Sequence, residues 1–139
     1  MEPINGDKPI KILIADDDEI VCTGIKRILD VDTSLQIDFQ VEIESKLVER
    51  VRTRVNQYDI LILDLDWYGD QEAGLHILRK IRKKHEKLCI ITMSNWPDLI
   101  KQSRSAGATI ARRKGFDRNE LIDLIKEAVD EISRNGRSI

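Results

Sequence analysis

The chain has 139 residues, enough for one domain that buries ~70% of the surface its unfolded form exposes. Charged residues make up 35% of it, but 23 basic against 25 acidic side chains leave a net charge of −2. That balance argues against direct nucleic-acid or membrane-surface binding. No stretch approaches the ~18 consecutive apolar residues of a membrane span, and the polar start MEPINGDKP is unlike a signal peptide, so a cytoplasmic location is expected.

Residues 1–8 read as a tail, and the first apolar run follows at Ile10–Ala15. It ends on Asp16, Asp17 and Asp18. Asp18 and Glu19 read as the acidic first turn of a helix, which suits its positive dipole end. Val21, Ile25, Ile28 and Leu29 fall at i, i+4, i+7 and i+8 and form a helical stripe. A second run, Leu35–Val41, precedes a helix carrying Val48, Val51 and Val55. The third run, Tyr58–Leu63, ends near Asp64 and Asp66, and Leu75, Leu78 and Ile81 then share a helix face. The fourth, Leu88–Met93, runs into Ser94 and Asn95. Trp96-Pro97-Asp98 supplies a helix start, with Pro in the first turn and Gly107 as the stop. The fifth run, Ala108–Ala111, leads to Lys114, and Leu121, Ile125, Ala128, Val129 and Ile132 give the strongest stripe. Cys22 and Cys89 sit in apolar stretches and read as reduced core residues.

Five strands alternating with five helices predict right-handed crossovers and one doubly wound parallel sheet. Nearly continuous apolar runs fit strands covered on both faces. The domain is expected over residues 9–133, with 134–139 as a tail or the start of a linker. In such a sheet the ligand crevice lies at the carboxyl ends of the strands. Asp16, Asp17, Asp64, Asp66, Ser94 and Lys114 would therefore converge, although they are scattered along the chain.

That convergence has a chemical consequence. Several carboxylates in one crevice cannot all stay ionised without a compensating cation. A hard divalent ion with oxygen ligands is the natural partner, and Mg²⁺ (or Mn²⁺) suits few carboxylates plus water and phosphate. Ser94 offers a hydroxyl and Lys114 a point charge, both suited to phosphate oxygens. The set describes a phosphoryl-transfer site whose obvious nucleophile is a carboxylate.

With these residues in order, the chain resembles the receiver domain of a two-component response regulator, of the chemotaxis-regulator kind. The matching elements are the acidic pair Asp16-Asp17, Asp64 in YDILILDLD, Ser94 ending the fourth run, and Lys114 in AGATIARRKGF. The resemblance implies a flavodoxin-like (βα)5 fold with strand order 2-1-3-4-5. It makes Asp64 the phosphoacceptor and Asp17 a direct Mg²⁺ ligand. Asp16 would act mostly through water, and the backbone carbonyl of Asp66 would complete the protein ligands. Ser94 would bond one phosphoryl oxygen and Lys114 another. The implied donor is a histidine kinase or phosphotransfer protein, with a receiver homodimer or a downstream effector as output. Turnover is not its purpose, so the implied role is a switch and not an enzyme.

Four places depart from the family pattern. The loop DLDWYGDQEAG has Trp67-Tyr68 where a Met-Pro pair is usual, and its Gly74 comes two residues late. Gly115 follows Lys114 in place of Pro, which predicts a trans peptide there. Ala111 replaces the switch aromatic, and Asn95 replaces a small residue. Trp67 and Trp96 are expected to pack at the rim of the site. Arg112-Arg113 reads as a solvated strand end, and His76 and His85 read as surface residues. Two other functions compete. A receiver-like module that no longer uses phosphate would explain the departures. The DxD in ILILDLDW also resembles haloacid-dehalogenase phosphohydrolases, though that family places the motif on its first core strand and needs a cap.

Overall fold

The computed structural model describes residues 9–40 and 57–134. The apolar runs form strands β1 (Ile10–Ala15), β2 (Leu35–Gln40), β3 (Ile60–Asp64), β4 (Cys89–Ser94) and β5 (Ile110–Arg113). All neighbouring pairs are parallel, in the order β2-β1-β3-β4-β5. Four helices lie among the described residues: α1 (Glu19–Leu29), α2 (Ala73–Lys84), α3 (Pro97–Ser105) and α4 (Arg118–Arg134). The helix expected around Val48, Val51 and Val55 lies outside the described residues.

Alternation along the strands divides the core. Ile10, Ile12, Ile14, Ile60, Ile62, Ile91 and Met93 pack with Cys22, Ile25 and Leu29 of α1 and with Leu121, Ile125 and Ala128 of α4. Leu13, Ala15, Leu61, Leu63 and Ile90 turn the other way, against Ile77, Leu78 and Ile81 of α2. Burying each large aliphatic chain contributes ~1.5–3 kcal/mol, which is why the central strands carry almost nothing else. Both cysteines are buried and unbridged. No helix among the described residues is long and apolar enough to cross a membrane.

Strand boundaries shift by a residue or two, with local causes. The Ala108 N–H donates to Ser103 O at 2.9 Å, and Gly107 takes φ +111°. These residues close the end of α3, so β5 begins at Ile110 and not at Ala108. Lys11 N–H donates to the Asp59 carboxylate at 2.9 Å, and β3 starts just after it. Asp18 is the N-cap of α1, its carboxylate accepting from Ile20 and Val21.

Two contacts set the ends of α2. At its start, a Cβ on Gly74 would stand 2.2 Å from the Leu65 Cα, and the Gly74 N–H donates to Leu65 O at 3.1 Å. Only glycine lets the helix begin pressed against the end of β3. At its finish, the Arg82 guanidinium donates to the carbonyls of Gly107, His85, Glu86 and Leu88 and to the Thr109 hydroxyl. That one side chain joins α2, the α2–β4 loop and the α3–β5 turn at the edge of the sheet away from the strand ends.

Candidate functional site

Register brings the scattered residues together. Ala15 pairs with Leu63, so Asp16 lies level with Asp64. Asp64 pairs with Met93, one residue before Ser94. Ser94 pairs with Arg113, one residue before Lys114. The Lys114 N–H donates to Ser94 O at 3.0 Å, carrying the ladder up to the crevice. There the Lys114 Nζ stands 3.1 Å from Asp16 Oδ2 and 3.1 Å from Asp64 Oδ1. Carboxylate oxygens of Asp16, Asp17 and Asp64 lie within 4.8 Å of one another.

Each side chain has a defined environment. Asp16, Asp64 and Ser94 are fully buried. Asp16 Oδ1 accepts the Asp18 N–H at 2.9 Å. Ser94 Oγ accepts the Trp96 N–H at 2.9 Å, which leaves its own O–H to donate elsewhere. Half-buried Asp17 accepts the Tyr68 N–H on Oδ2 at 2.8 Å.

The charge balance is unfavourable for carboxylates alone. Burial, and then the charge of Asp16, push the Asp64 carboxyl up to about 7, against the opposing pull of Lys114. Burial also raises Asp16, opposed by the Asp18 amide and Lys114. Lys114 is itself disfavoured by burial, but Asp64 and Asp16 more than reverse this and raise it. Beyond the Lys114 ion pairs, Asp16 Oδ2, both Asp64 oxygens and Asp66 Oδ1 are buried without hydrogen-bond partners. Buried oxygens are normally satisfied. One lysine facing three acids leaves room for a further cation, and the all-oxygen donor set fits a hard divalent ion. The sequence placed an Asp66 carboxylate at this strand end, but that its Oδ1 is buried without a partner follows only from the fold.

The Lys114–Gly115 peptide is trans. Arg112 Nη2 donates to both carboxylate oxygens of Glu127, at 2.9 and 2.8 Å, in keeping with a solvated strand end. Trp96 is 49% exposed beside the crevice. Trp67 is not at the rim: it is fully buried in the core against α2. Its indole N–H donates to Asp64 O at 2.6 Å, so the ring closes the end of β3 from beneath. Sequence periodicity does not reach a loop residue, and an aromatic beside an acidic cluster looks like a rim residue until its depth is known.

A five-stranded parallel sheet in the order 2-1-3-4-5, with its acidic crevice at the carboxyl ends, is the flavodoxin-like arrangement of CheY-like receivers. The family model for the response regulator receiver domain matches residues 12–126, and the chain belongs to that family of signalling domains. It is 28% identical over 119 residues to the response regulator UvrY of Escherichia coli K12, with 84% of this chain and 53% of UvrY covered. The chain thus spans about half the length of that curated relative. Among solved structures, a CheY-like receiver domain protein from Methanospirillum hungatei superposes with a TM-score of 0.75 at 20% identity, covering 92% of this chain and 99% of that one. A receiver domain protein from Clostridium thermocellum gives 0.76 at 22% identity, with 91% and 97% covered. These two likenesses concern the fold.

Proposed function

We propose that the chain is a phosphorylation-dependent switch that accepts a phosphoryl group on Asp64 from a histidine kinase or phosphotransfer protein. The observation that carries this reading is the Asp64 carboxylate, buried at the end of β3 with Lys114 at 3.1 Å and both oxygens otherwise unpartnered. An Asp64 oxygen forms the new P–O bond as the donor's P–N bond breaks, and the imidazole nitrogen keeps the electron pair. Asp16, Asp17, Asp64 and the Asp66 carbonyl would hold Mg²⁺, which when bound neutralises phosphoryl oxygens. Ser94 donates its free O–H to one of those oxygens, and Lys114 balances the charge of another. Positioning and electrostatics then supply most of the rate.

A protein donor is favoured by the rim. Among the described residues the exposed large apolar side chains are Ile20, Val31, Tyr68 and Trp96, and all but Val31 surround the crevice. We place the receiver over residues 9–133, in the cytoplasm, with an effector as the output.

Acetyl phosphate or phosphoramidate with Mg²⁺ should add one phosphoryl group by intact mass. Asp64→Asn and chelation should each abolish the addition. Equal labelling of the mutant would refute the assignment of Asp64. Mg²⁺ binding without any labelling would instead support the phosphate-independent module.

A further inference from the structure

The β3–α2 loop, where the sequence departs from its family, has a defined geometry. Asp70 N–H donates to Trp67 O at 2.8 Å and Trp67 N–H to Asp70 O at 3.3 Å, closing a two-residue hairpin. Both central residues have positive φ, Tyr68 at 51° and Gly69 at 78°, as a type I′ turn requires. Glycine takes that conformation freely. Tyrosine stays there only where its surroundings hold it, and such outliers gather at functional sites.

Two bonds do the holding, and both end on the site. The Trp67 indole is locked to the Asp64 carbonyl at 2.6 Å. The Tyr68 backbone N–H donates to Asp17 Oδ2 at 2.8 Å. The turn thereby connects the backbone of one acid to the carboxylate of another. The tilted Trp67 and Tyr68 rings, 6.4 Å apart, stiffen it further.

We propose that the Trp67–Asp70 turn is a positioning element for Asp17, with the Tyr68 amide holding one carboxylate oxygen so that the other is presented to a divalent cation. The proposal rests on the reading of Asp16, Asp17 and Asp64 as a metal seat. Asp17 is only half-buried, so without the amide its carboxylate would be free to rotate toward water, away from the repelling Asp16 and Asp64. Ordering it would then fall on the metal-binding step. An amide donor to a carboxylate is a strong, charge-assisted bond. It also offsets repulsion in the metal-free site without adding a cation that would compete for the seat.

The test compares Tyr68→Val with Tyr68→Gly and Tyr68→Asn. A β-branched residue resists positive φ, whereas Gly and Asn accept it. Calorimetric Mg²⁺ titrations should show Tyr68→Val weakened about fivefold, as for one side chain that must be immobilised on binding, with Gly and Asn close to wild type. Metal-free unfolding should be eased modestly in Tyr68→Val, which loses both the turn and the amide bond to Asp17, and should change little in Tyr68→Gly and Tyr68→Asn. Exchange of the residue 68 amide should quicken in Asp17→Ala. Wild-type Mg²⁺ affinity in Tyr68→Val, or equal weakening in all three variants, overturns the positioning role. Failure of the wild-type protein to bind Mg²⁺ overturns the metal seat itself, which is a different result.

Discussion

Asp64 shows how much one residue's surroundings decide. The unfolded chain loses this proton near the ordinary value of 3.8, while burial and the charge of Asp16 hold it in the folded protein up to about 7. Between those values the folded state binds more protons. Its contribution to metal-free stability is therefore fully present at low pH and is lost as pH rises toward about 7. A divalent ion binds the carboxylate and displaces the proton. Mg²⁺ affinity should accordingly climb as pH rises to about 7 and level off above it, and Asp64→Asn should flatten the slope. Calorimetric titrations in two buffers of different ionisation enthalpy measure the protons released directly. At ~100 times its dissociation constant, Mg²⁺ should add ~2.7 kcal/mol to thermal stability, and Asp17→Ala should remove most of that shift. No proton release below pH 7 would mean that the Asp64 carboxyl is already ionised in the metal-free protein or is not a ligand.

At the scale of elements, α3 is where the protein differs most from a helix held by an apolar stripe. Only Leu99 and Ser103 are buried on it. Ser103 Oγ pairs with Thr92 Oγ1 at 2.7 Å across the sheet face. Ala111 fills the place of the family's switch aromatic and is buried, and its carbonyl accepts from Arg104 of α3 at 3.2 Å. With no ring to move, the usual coupling has no lever. Ser94 is instead linked directly to the N-cap of α3, since its Oγ holds the Trp96 N–H. Drawing Ser94 toward a phosphoryl group would pull on that cap, and the element with few apolar contacts should rearrange most readily. Beryllofluoride with Mg²⁺ should therefore alter hydrogen exchange across residues 95–106. Tryptophan emission should shift as well, because Trp96 is 49% exposed beside Ser94 while Trp67 is buried in the core. Confirmed binding with neither change would exclude this route for the signal.

At the scale of the molecule, the two edges of the sheet divide the work. The carboxyl edge gathers like charges and unpartnered oxygens, which destabilise the metal-free protein. The opposite edge is tied by Arg82, whose guanidinium reaches four carbonyls and a hydroxyl. Arg82→Met keeps the stem but leaves those acceptors without their donor. We expect it to lower unfolding free energy by ~2–3 kcal/mol, measured by urea denaturation. Mg²⁺ affinity and labelling at Asp64 should stay as in wild type, because the edges are separated by the length of the strands. A loss of Mg²⁺ binding in a folded Arg82→Met would show that the edges are coupled.

The sequence by itself determined the alternation of strand and helix, the parallel sheet and the set Asp16, Asp17, Asp64, Ser94 and Lys114. Buried strands need continuous apolar runs, surface helices need a 3.6-residue stripe, and a parallel sheet puts every strand end on one side. The physics of those features is local, so it can be read locally. Tertiary structure alone decided what depended on distant partners. It placed Trp67 in the core beneath Asp64 and put the Tyr68 amide on Asp17, 51 residues away in sequence. It also set Gly74 against the Leu65 backbone and gathered five acceptors around Arg82. None of these contacts leaves a periodic trace, because each joins a loop or a helix end to a group that only the folded chain sets beside it. For the same reason Asp64 could be recognised as an acid at a strand end, while its raised proton affinity followed only from the depth of its burial and the place of Asp16 beside it.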